Sequence, residues 1–542
     1  MFKGGASANL KRGPAIIRRN AHLGAALRLA PYAAFAGLVF LTFPVTPDDA
    51  FITLRYAAHI LAGHGPVFNV GDRTEGFSSP LHLLLSVVLL SVFGSSGVIA
   101  ASKFCGIALG AWTLREMGLV ASRLGLTASE TTVAQLLVAL NINFAISAVN
   151  GLETMLYAAL LTALVERSLR EYAQTRGYGS SLLVLACVLV RPDAVLLLPL
   201  LLLIRMYLMR RGRFDPKNVV LWTACAAIPF AALLAARFAY YGDLLPNTYY
   251  AKVGNPWHSI LDGARYLLRP LSPKERDLLS GAGPLSRVVL LTAPIAFWAL
   301  AGLGLWRRRH ANASLFVAAV PVVSVIFVLR SGGDWMAGWR FSIVAAPALA
   351  IFQCVGLRVL AHGAQGAIAV WKKLSSRSVL RHVHAIALAF WVPSLLVAPK
   401  ANWMALGLST DGATLLHATG AMGNRVGAQQ VDAARLVSSV LPVGARVATT
   451  EIGFMGFSNM DKTVVDMRGL TDHEIARLQH VFKWSGGVAD PRWYDPQGPM
   501  GTVLARRNLD AIAAFEDVPR ALAHFRRAYS VNDVQLYLPE RN

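Results

Sequence analysis

Apolar runs recur through this chain at roughly 29–46, 80–94, 97–118, 131–149, 151–167, 181–209, 219–240, 286–306, 312–330, 341–361 and 383–399. About 20 helical residues cross a bilayer, and somewhat shorter helices also occur. Inside lipid the backbone must satisfy its own polar groups, so runs of this kind fold as helices. Several are interrupted by Gly, Pro or charge, and we read about 10–12 spans. Composition agrees: 55% of the residues are hydrophobic and only 15% are charged, against roughly 25% charged in soluble domains. The run 181–209 carries Arg191-Pro192-Asp193 at its middle. A proline between two charges predicts two short helices meeting in a turn, which is tolerated where it lines a polar cavity.

The formal net charge is +22. Its placement orients the chain in a membrane and gives no reason to expect a nucleic-acid partner, since no solvent-facing recognition motif accompanies it. Basic clusters at Arg205, Arg210, Arg211, Arg213 and Lys217, at Arg307, Arg308 and Arg309, and at Lys372, Lys373, Arg377 and Arg381 mark cytoplasmic loops. Segments 47–79, 241–285 and 331–340 then fall on the other side. Residues 1–28 form a basic arm with Lys3, Lys11, Arg12, Arg18, Arg19 and Arg28 and no acidic residue. The arm is long, and no small-x-small cleavage site precedes Pro47, so the first apolar run is expected to stay as an uncleaved span.

From about residue 401 long apolar runs stop. Arg446–Thr450, Thr463–Asp466, Ala511–Phe515 and Val534–Leu538 read as strands, and Val431–Leu441 as an amphipathic helix. The expected architecture is an α-helical polytopic membrane protein, residues 29–400, with a first exported loop at 47–79 and a small α/β extracytoplasmic domain at 401–542. An odd number of spans places that domain outside the cytoplasm. Gly453 and Gly456 do not make a dinucleotide fingerprint, because the third glycine and the spacing are absent. The four cysteines, Cys105, Cys187, Cys225 and Cys354, all lie in apolar runs without metal-like spacing and read as small buried hydrophobes.

Two adjacent carboxylates, Asp48 and Asp49, follow the first apolar run directly. Solvated loop acids would account for them. At a low-dielectric rim, however, they perturb each other's proton affinity, and one becomes a candidate base for a hydroxyl proton. The loop beyond is rich in polar and aromatic groups, among them Arg55, Tyr56 and Glu75. Glu75 with Asp48 offers two or three oxygens to a divalent cation, too few for a dedicated shell. No cofactor is therefore expected, with a divalent metal as the open alternative. Glu153 opens an apolar run, where helix capping competes with cavity lining. Arg191 and Asp193 either neutralise each other or face substrate. Asn247, Tyr249 and Lys252 form one polar–aromatic group, and Asp334 and Arg340 a second, Gly-rich one. Aromatic faces stack on sugars, and Lys or Arg holds a phosphate, whereas an interfacial belt is the plain alternative. No nucleophile elbow, P-loop, zincin helix or haem motif is present, so any chemistry uses carboxylates and cations.

The pattern Asp48-Asp49-Ala50-Phe51-Ile52, Arg55-Tyr56, Gly63-His64-Gly65-Pro66-Val67-Phe68-Asn69 and Thr74-Glu75-Gly76-Phe77-Ser78-Ser79-Pro80 resembles the first exported loop of the GT-C membrane glycosyltransferases. Within them it is most similar to the AftB-like terminal arabinofuranosyltransferases and their proteobacterial relatives. Leu245–Lys252, Gly332–Arg340 and Val465-Asp466-Met467-Arg468-Gly469-Leu470-Thr471-Asp472 support the resemblance, which covers most of the chain. It implies a GT-C-like fold in a bacterial inner membrane, with the active site facing the periplasm. It also implies a polyprenyl-phosphate sugar as donor and a cell-envelope glycan or lipid as acceptor. The first-loop acid acts as base in that family, a role that maps onto Asp48 with Asp49 in support. Phe77-Ser78-Ser79-Pro80 departs from the family's usual aromatic, Thr or Ser, Asn sequence, so arabinose is not assumed.

The expected reaction is an inverting transfer. Asp48 takes an acceptor proton, and Lys252, Arg340 and Arg191 stabilise the departing phosphate. A ligase using a pyrophosphate-linked glycan, a transporter or flippase, and a non-catalytic glycan-binding scaffold are the competing readings. A transporter predicts internal repeats, and none is visible.

Overall fold

In the computed structural model the described residues are 13–252, 256–268, 284–333, 340–369, 430–481, 498–514, 525–531 and 534–539. The first apolar run is helix α1 (Gly13–Thr42). The chain turns through 43–48 into the amphipathic α2 (Asp49–Leu61), which buries Ala50, Ile52, Leu54, Arg55, Tyr56, Ala57 and His59. Pro80 starts α3 (Pro80–Arg123), which is two helices broken at Gly94, where φ is +65° and ψ 179°. A glycine suits that position because the left-handed side of φ is strained for other residues. The runs read as 80–94 and 97–118 are these two arms.

Helices α4 (Ala128–Ala139) and α5 (Ile142–Val149) are bent by 63° to each other. Helix α6 (Thr154–Gln174) leads to α7 (Gly179–Val190). There the expected break appears: Arg191 is extended, Pro192–Leu196 is a 3-10 turn, and α8 (Leu197–Arg210) follows. Helix α9 (Pro216–Tyr241), the short α10 (Asn247–Lys252) and α11 (Pro256–Leu268) come next. Helices Pro284–Arg307, Ser314–Ser331, Arg340–Ile343 and Ala346–Ala369 follow among the described residues.

Among the described residues, four helices are long and apolar enough to cross a membrane: Pro80–Arg123, Pro192–Arg210, Pro216–Tyr241 and Ser314–Ser331. The bent pair α4–α5 makes a fifth if it crosses as one unit, and Leu27–Thr42, Gly179–Val190 and Ala346–His362 are shorter apolar helices. The run at 383–399 lies outside the described residues. Helix α6 continues past its apolar half into Glu166, Arg167, Arg170 and Glu171, which pair internally, including Arg205 to Glu171 and Arg123 to Glu166.

Among the described residues the C-terminal unit carries a five-stranded mixed sheet of order β2-β1-β3-β5-β4. Strands β1 (Arg446–Thr449), β2 (Thr463–Asp466) and β3 (Ala511–Ala514) run parallel, with Ala448 opposite Val465 and Ile512. Strands β4 (Phe525–Val531) and β5 (Val534–Pro539) form an antiparallel hairpin joined to β3. One face of the sheet packs on Ile475, Met500, Val503 and Leu504. Its other face shares a core with the first loop, in which Val447, Val464, Ile452 and Met455 pack with Ile52, Leu54, Tyr56 and Phe68. This shared core fixes the C-terminal unit against α2.

Candidate active site

Asp48 is 6% exposed at the start of α2. Its Oδ2 accepts the Gly453 N–H at 2.7 Å and its Oδ1 the Phe454 N–H at 2.8 Å. These donors begin the short helix Gly453–Ser458, just past the end of β1. The approach is close: a Cβ on Gly453 would lie 2.0 Å from the Asp48 carbonyl oxygen. Burial pushes the Asp48 carboxyl up to about 6, although the Phe454 and Gly453 N–H groups favour its charged form, Asp49 opposes it and Arg468 favours it.

Glu451 lies beside this group, paired with Arg468 at 2.9 Å. Burial raises its carboxyl to about 7; Arg468 opposes the rise, while Asp48, Asp49 and Asp466 add to it. Asp466, at the end of β2, accepts the N–H groups of Arg468 at 2.8 Å and Thr471 at 2.9 Å. It thereby shapes the turn that presents Arg468. Asp48, Asp49, Glu451 and Arg468 are thus one electrostatic group, built from the first loop and the carboxyl ends of β1 and β2.

A second polar group is carried by a neighbouring turn. The turn before α6 abuts α2, since a Cβ on Gly151 would lie 3.5 Å from that of Ala50. Glu153 follows in that turn. Burial works against its charge, but Arg340, Arg191 and His82 outweigh it and hold the carboxyl below its ordinary range. Arg191 Nε donates to Asp193 at 2.8 Å, and the Tyr157 hydroxyl donates to the other Asp193 oxygen at 3.2 Å. The Arg191 guanidinium also lies 4.7 Å from the Phe341 ring centre and 5.0 Å from that of Phe327. Four buried polar atoms around this group have no hydrogen-bond partner: Ser79 Oγ, Thr154 Oγ1, Arg191 Nη1 and Ser342 Oγ. His82 lines a small cleft together with Ser102, Cys105, Leu85, Leu109 and Met155.

Other residues singled out in the sequence spend most of their polar atoms on the protein itself, although Asn247 Oδ1 is buried without a partner. Arg55, 1% exposed, donates to the carbonyls of Phe68 (2.7 Å), Lys462 (2.8 Å), Asn459 (3.1 Å) and Gly456. Tyr56 donates to the Thr74 carbonyl at 2.7 Å and accepts from Gly76 N–H at 2.8 Å. Glu75 is held bidentately by Arg237 at 2.7 and 3.0 Å. Asn247 Nδ2 donates to the carbonyls of Gly469 (2.8 Å), Leu470 (3.0 Å) and Asp472 (3.3 Å). Arg55, Tyr56, Glu75 and Asn247 therefore build the junction instead of reaching into it. Tyr249 is 38% exposed and Lys252 is exposed beside it. Asp334 lies outside the described residues. Among the described residues no group of three His, Cys, Asp or Glu side chains is placed to hold a metal ion.

Sequence reasoning missed Glu451, Gly453 and Phe454, whose relation to Asp48 spans some 400 positions. It also missed His82, although an imidazole just inside an apolar run is itself a signal of function.

Residues 415–535 match a domain of unknown function (DUF8728). The chain is 27% identical over 339 residues to the terminal β-(1→2)-arabinofuranosyltransferase of Mycobacterium tuberculosis, a match covering 57% of this chain and 52% of that protein. It thus spans about half the length of that curated relative. The fold resembles ArnT of Cupriavidus metallidurans bound to undecaprenyl phosphate, with a TM-score of 0.53 and 12% identity, covering 95% of this chain and 97% of ArnT. It also resembles the oligosaccharyltransferase AglB of Archaeoglobus fulgidus in complex with an inhibitory peptide and a dolichol-phosphate, with a TM-score of 0.51 and 12% identity, covering 95% and 75%. The chain is a multi-pass integral membrane protein that shares its fold with ArnT and AglB and carries a C-terminal mixed-sheet unit.

Proposed function

We propose that this protein is a membrane glycosyltransferase that moves a sugar from a polyprenyl-phosphate donor to a glycan or lipid acceptor of the cell envelope. The observation that carries the reading is the pair of polar groups on adjoining segments: the buried Asp48 carboxylate at the start of α2, and Glu153 with Arg191, Arg340 and His82, whose turn meets α2 where Gly151 faces Ala50. A base in one group and guanidinium groups in the other suit a reaction that removes a proton from a hydroxyl and releases a phosphate.

In this mechanism Asp48 accepts the proton of an acceptor hydroxyl as that oxygen bonds to the anomeric carbon. The bond from that carbon to the phosphate oxygen breaks on the opposite face, and the configuration inverts. Each Asp48 oxygen accepts one N–H bond, and a carboxylate oxygen has two lone pairs, so one on each is left for the proton. Arg191, with its unpartnered Nη1, and Arg340 stabilise the departing phosphate, because guanidinium matches phosphate geometry. Ser79, Thr154 and Ser342 offer further buried hydroxyls to the same anion or to the sugar. The cleft that His82 lines takes the first isoprene units. The active site faces the periplasm, the side opposite the basic loops.

ArnT and AglB, on this fold, were captured with undecaprenyl phosphate and dolichol-phosphate, which supports the donor class. The test is transfer by the purified full-length protein in detergent, using a panel of radiolabelled polyprenyl-phosphate sugars and a cell-envelope acceptor extract. Label moving from one lipid donor to the extract bears out the reading. No transfer from any donor, with the protein folded, shifts the reading to a ligase using pyrophosphate-linked glycan.

A further inference from the structure

Asp48 is unusual in where its partners come from. Its two carboxylate bonds are to backbone N–H groups more than 400 positions away in the chain. Side-chain chemistry at 453 and 454 does not enter these bonds, so they depend on how closely the backbone approaches. Gly453 permits that approach, since any Cβ there would collide with the Asp48 carbonyl carbon at 2.7 Å and its oxygen at 2.0 Å. The backbone is anchored on both sides. Ile452 and Met455 are buried in the core shared with α2, and Arg55 holds the carbonyls of Gly456 and Asn459. The ring of Phe454 packs edge-on against Phe51, with centres 4.9 Å apart. The two N–H groups therefore have a fixed direction.

We propose that Gly453 and Phe454 are positioning residues of the transfer reaction, whose backbone N–H groups, delivered by the C-terminal unit, hold the Asp48 carboxylate in its working orientation and in its charged form. The proposal rests on Asp48 being the base. It makes the base a product of two distant parts of the chain: α2 supplies the carboxylate, and the segment after β1 supplies its donors. A carboxylate that accepts backbone N–H bonds is stabilised as the anion. Removing a donor leaves burial less opposed, and Asp48 then holds its proton to higher pH.

The charged groups facing Asp48 are Asp49 on its own helix, Glu451 just before the donor segment and Arg468 after β2. Glu153 is carried by the turn that abuts Ala50. Of these, Glu451 also titrates close to neutrality, at about 7, so it must be separated from Asp48 in any pH profile.

The experiment is the pH dependence of kcat/KM for transfer by the purified full-length protein, with the polyprenyl-phosphate sugar identified by the donor panel. The base must be ionised to work, so the wild-type rate rises as pH passes upward through about 6, the Asp48 value. Phe454→Pro removes one N–H, and the acid limb is expected to move up by about one pH unit, the size of one hydrogen bond to a charged group. Phe454→Leu keeps the N–H and loses only the ring, and its limb stays at the wild-type position. Glu451→Gln removes the neighbouring carboxyl, and combined with Phe454→Pro it leaves the displacement in place. If Phe454→Pro is not recovered folded, phenyllactic acid incorporated at 454 replaces that single N–H by an ester oxygen, and the same displacement is read. A limb unmoved by loss of the N–H, or moved equally by Phe454→Leu, overturns the proposal while Asp48 stays the base. An active Asp48→Asn protein instead overturns the base assignment itself.

Discussion

At the scale of single residues, the junction separates groups that do chemistry from groups that hold it in place, and the sequence does not. Asp48 and Asp49 were legible because adjacent acids beside an apolar run are costly unless used. Arg55 looked equally functional, yet its guanidinium is taken by backbone carbonyls at 456, 459 and 462. No local pattern announces such distant partners. Glu75 and Arg237 are a comparable case, with side chains 4% and 10% exposed. Breaking a buried pair from one side leaves an uncompensated charge, at about 3–5 kcal/mol. Glu75→Gln is therefore expected to lower the melting temperature in detergent sharply. Glu75→Met with Arg237→Leu should recover most of the loss. An unchanged melting temperature for Glu75→Gln would show the pair to be dispensable.

At the scale of elements, short apolar strands were readable, and β1, β2, β3 and β5 fall on the ranges expected for them, with β5 running on to Pro539. Strand β4 was not found. It is the sheet edge, exposed along Arg526, Arg527, Ala528, Tyr529, Ser530 and Val531, so no buried face wrote a pattern into it. The opposite edge, β2, is closed by a side chain. Asn69 Oδ1 accepts the Val464 N–H at 3.0 Å, and its Nδ2 donates to the Val464 carbonyl at 2.8 Å. One amide thus imitates a neighbouring strand and ties the first loop to the sheet. Asn69→Ala leaves two backbone groups unpaired and is expected to cost about 1–3 kcal/mol. Faster amide exchange at Val464 than in wild type is the direct readout, and unchanged exchange would contradict the role given to Asn69. The break at Arg191-Pro192-Asp193 was legible because proline cannot continue a helix. The bend at Gly94 was visible only as a gap between two apolar runs.

At the scale of the whole molecule, the helical part and the C-terminal sheet each keep a core of their own and share a third between them. Val447, Val464 and Leu536 from the sheet pack in one cluster with Ile52, Tyr56, Phe77 and Leu83 from the first loop and α3. Side chains of the helical part, Arg55, Asn69 and Asn247, grip backbone of the sheet unit, and Asp48 does the same at the centre. Sequence composition predicted a small α/β unit but had no means of showing that it finishes the site, because the partners are backbone atoms. The central claim is that Asp48, completed in this way, is the base of a sugar transfer. It is tested most directly by the transfer rate of Asp48→Asn beside wild type, in full-length protein shown to be folded by its thermal unfolding. Loss of a general base typically lowers the rate by about 10²–10⁴-fold, and a fall of that size with donor binding retained is the predicted result. Transfer at a near wild-type rate would contradict it.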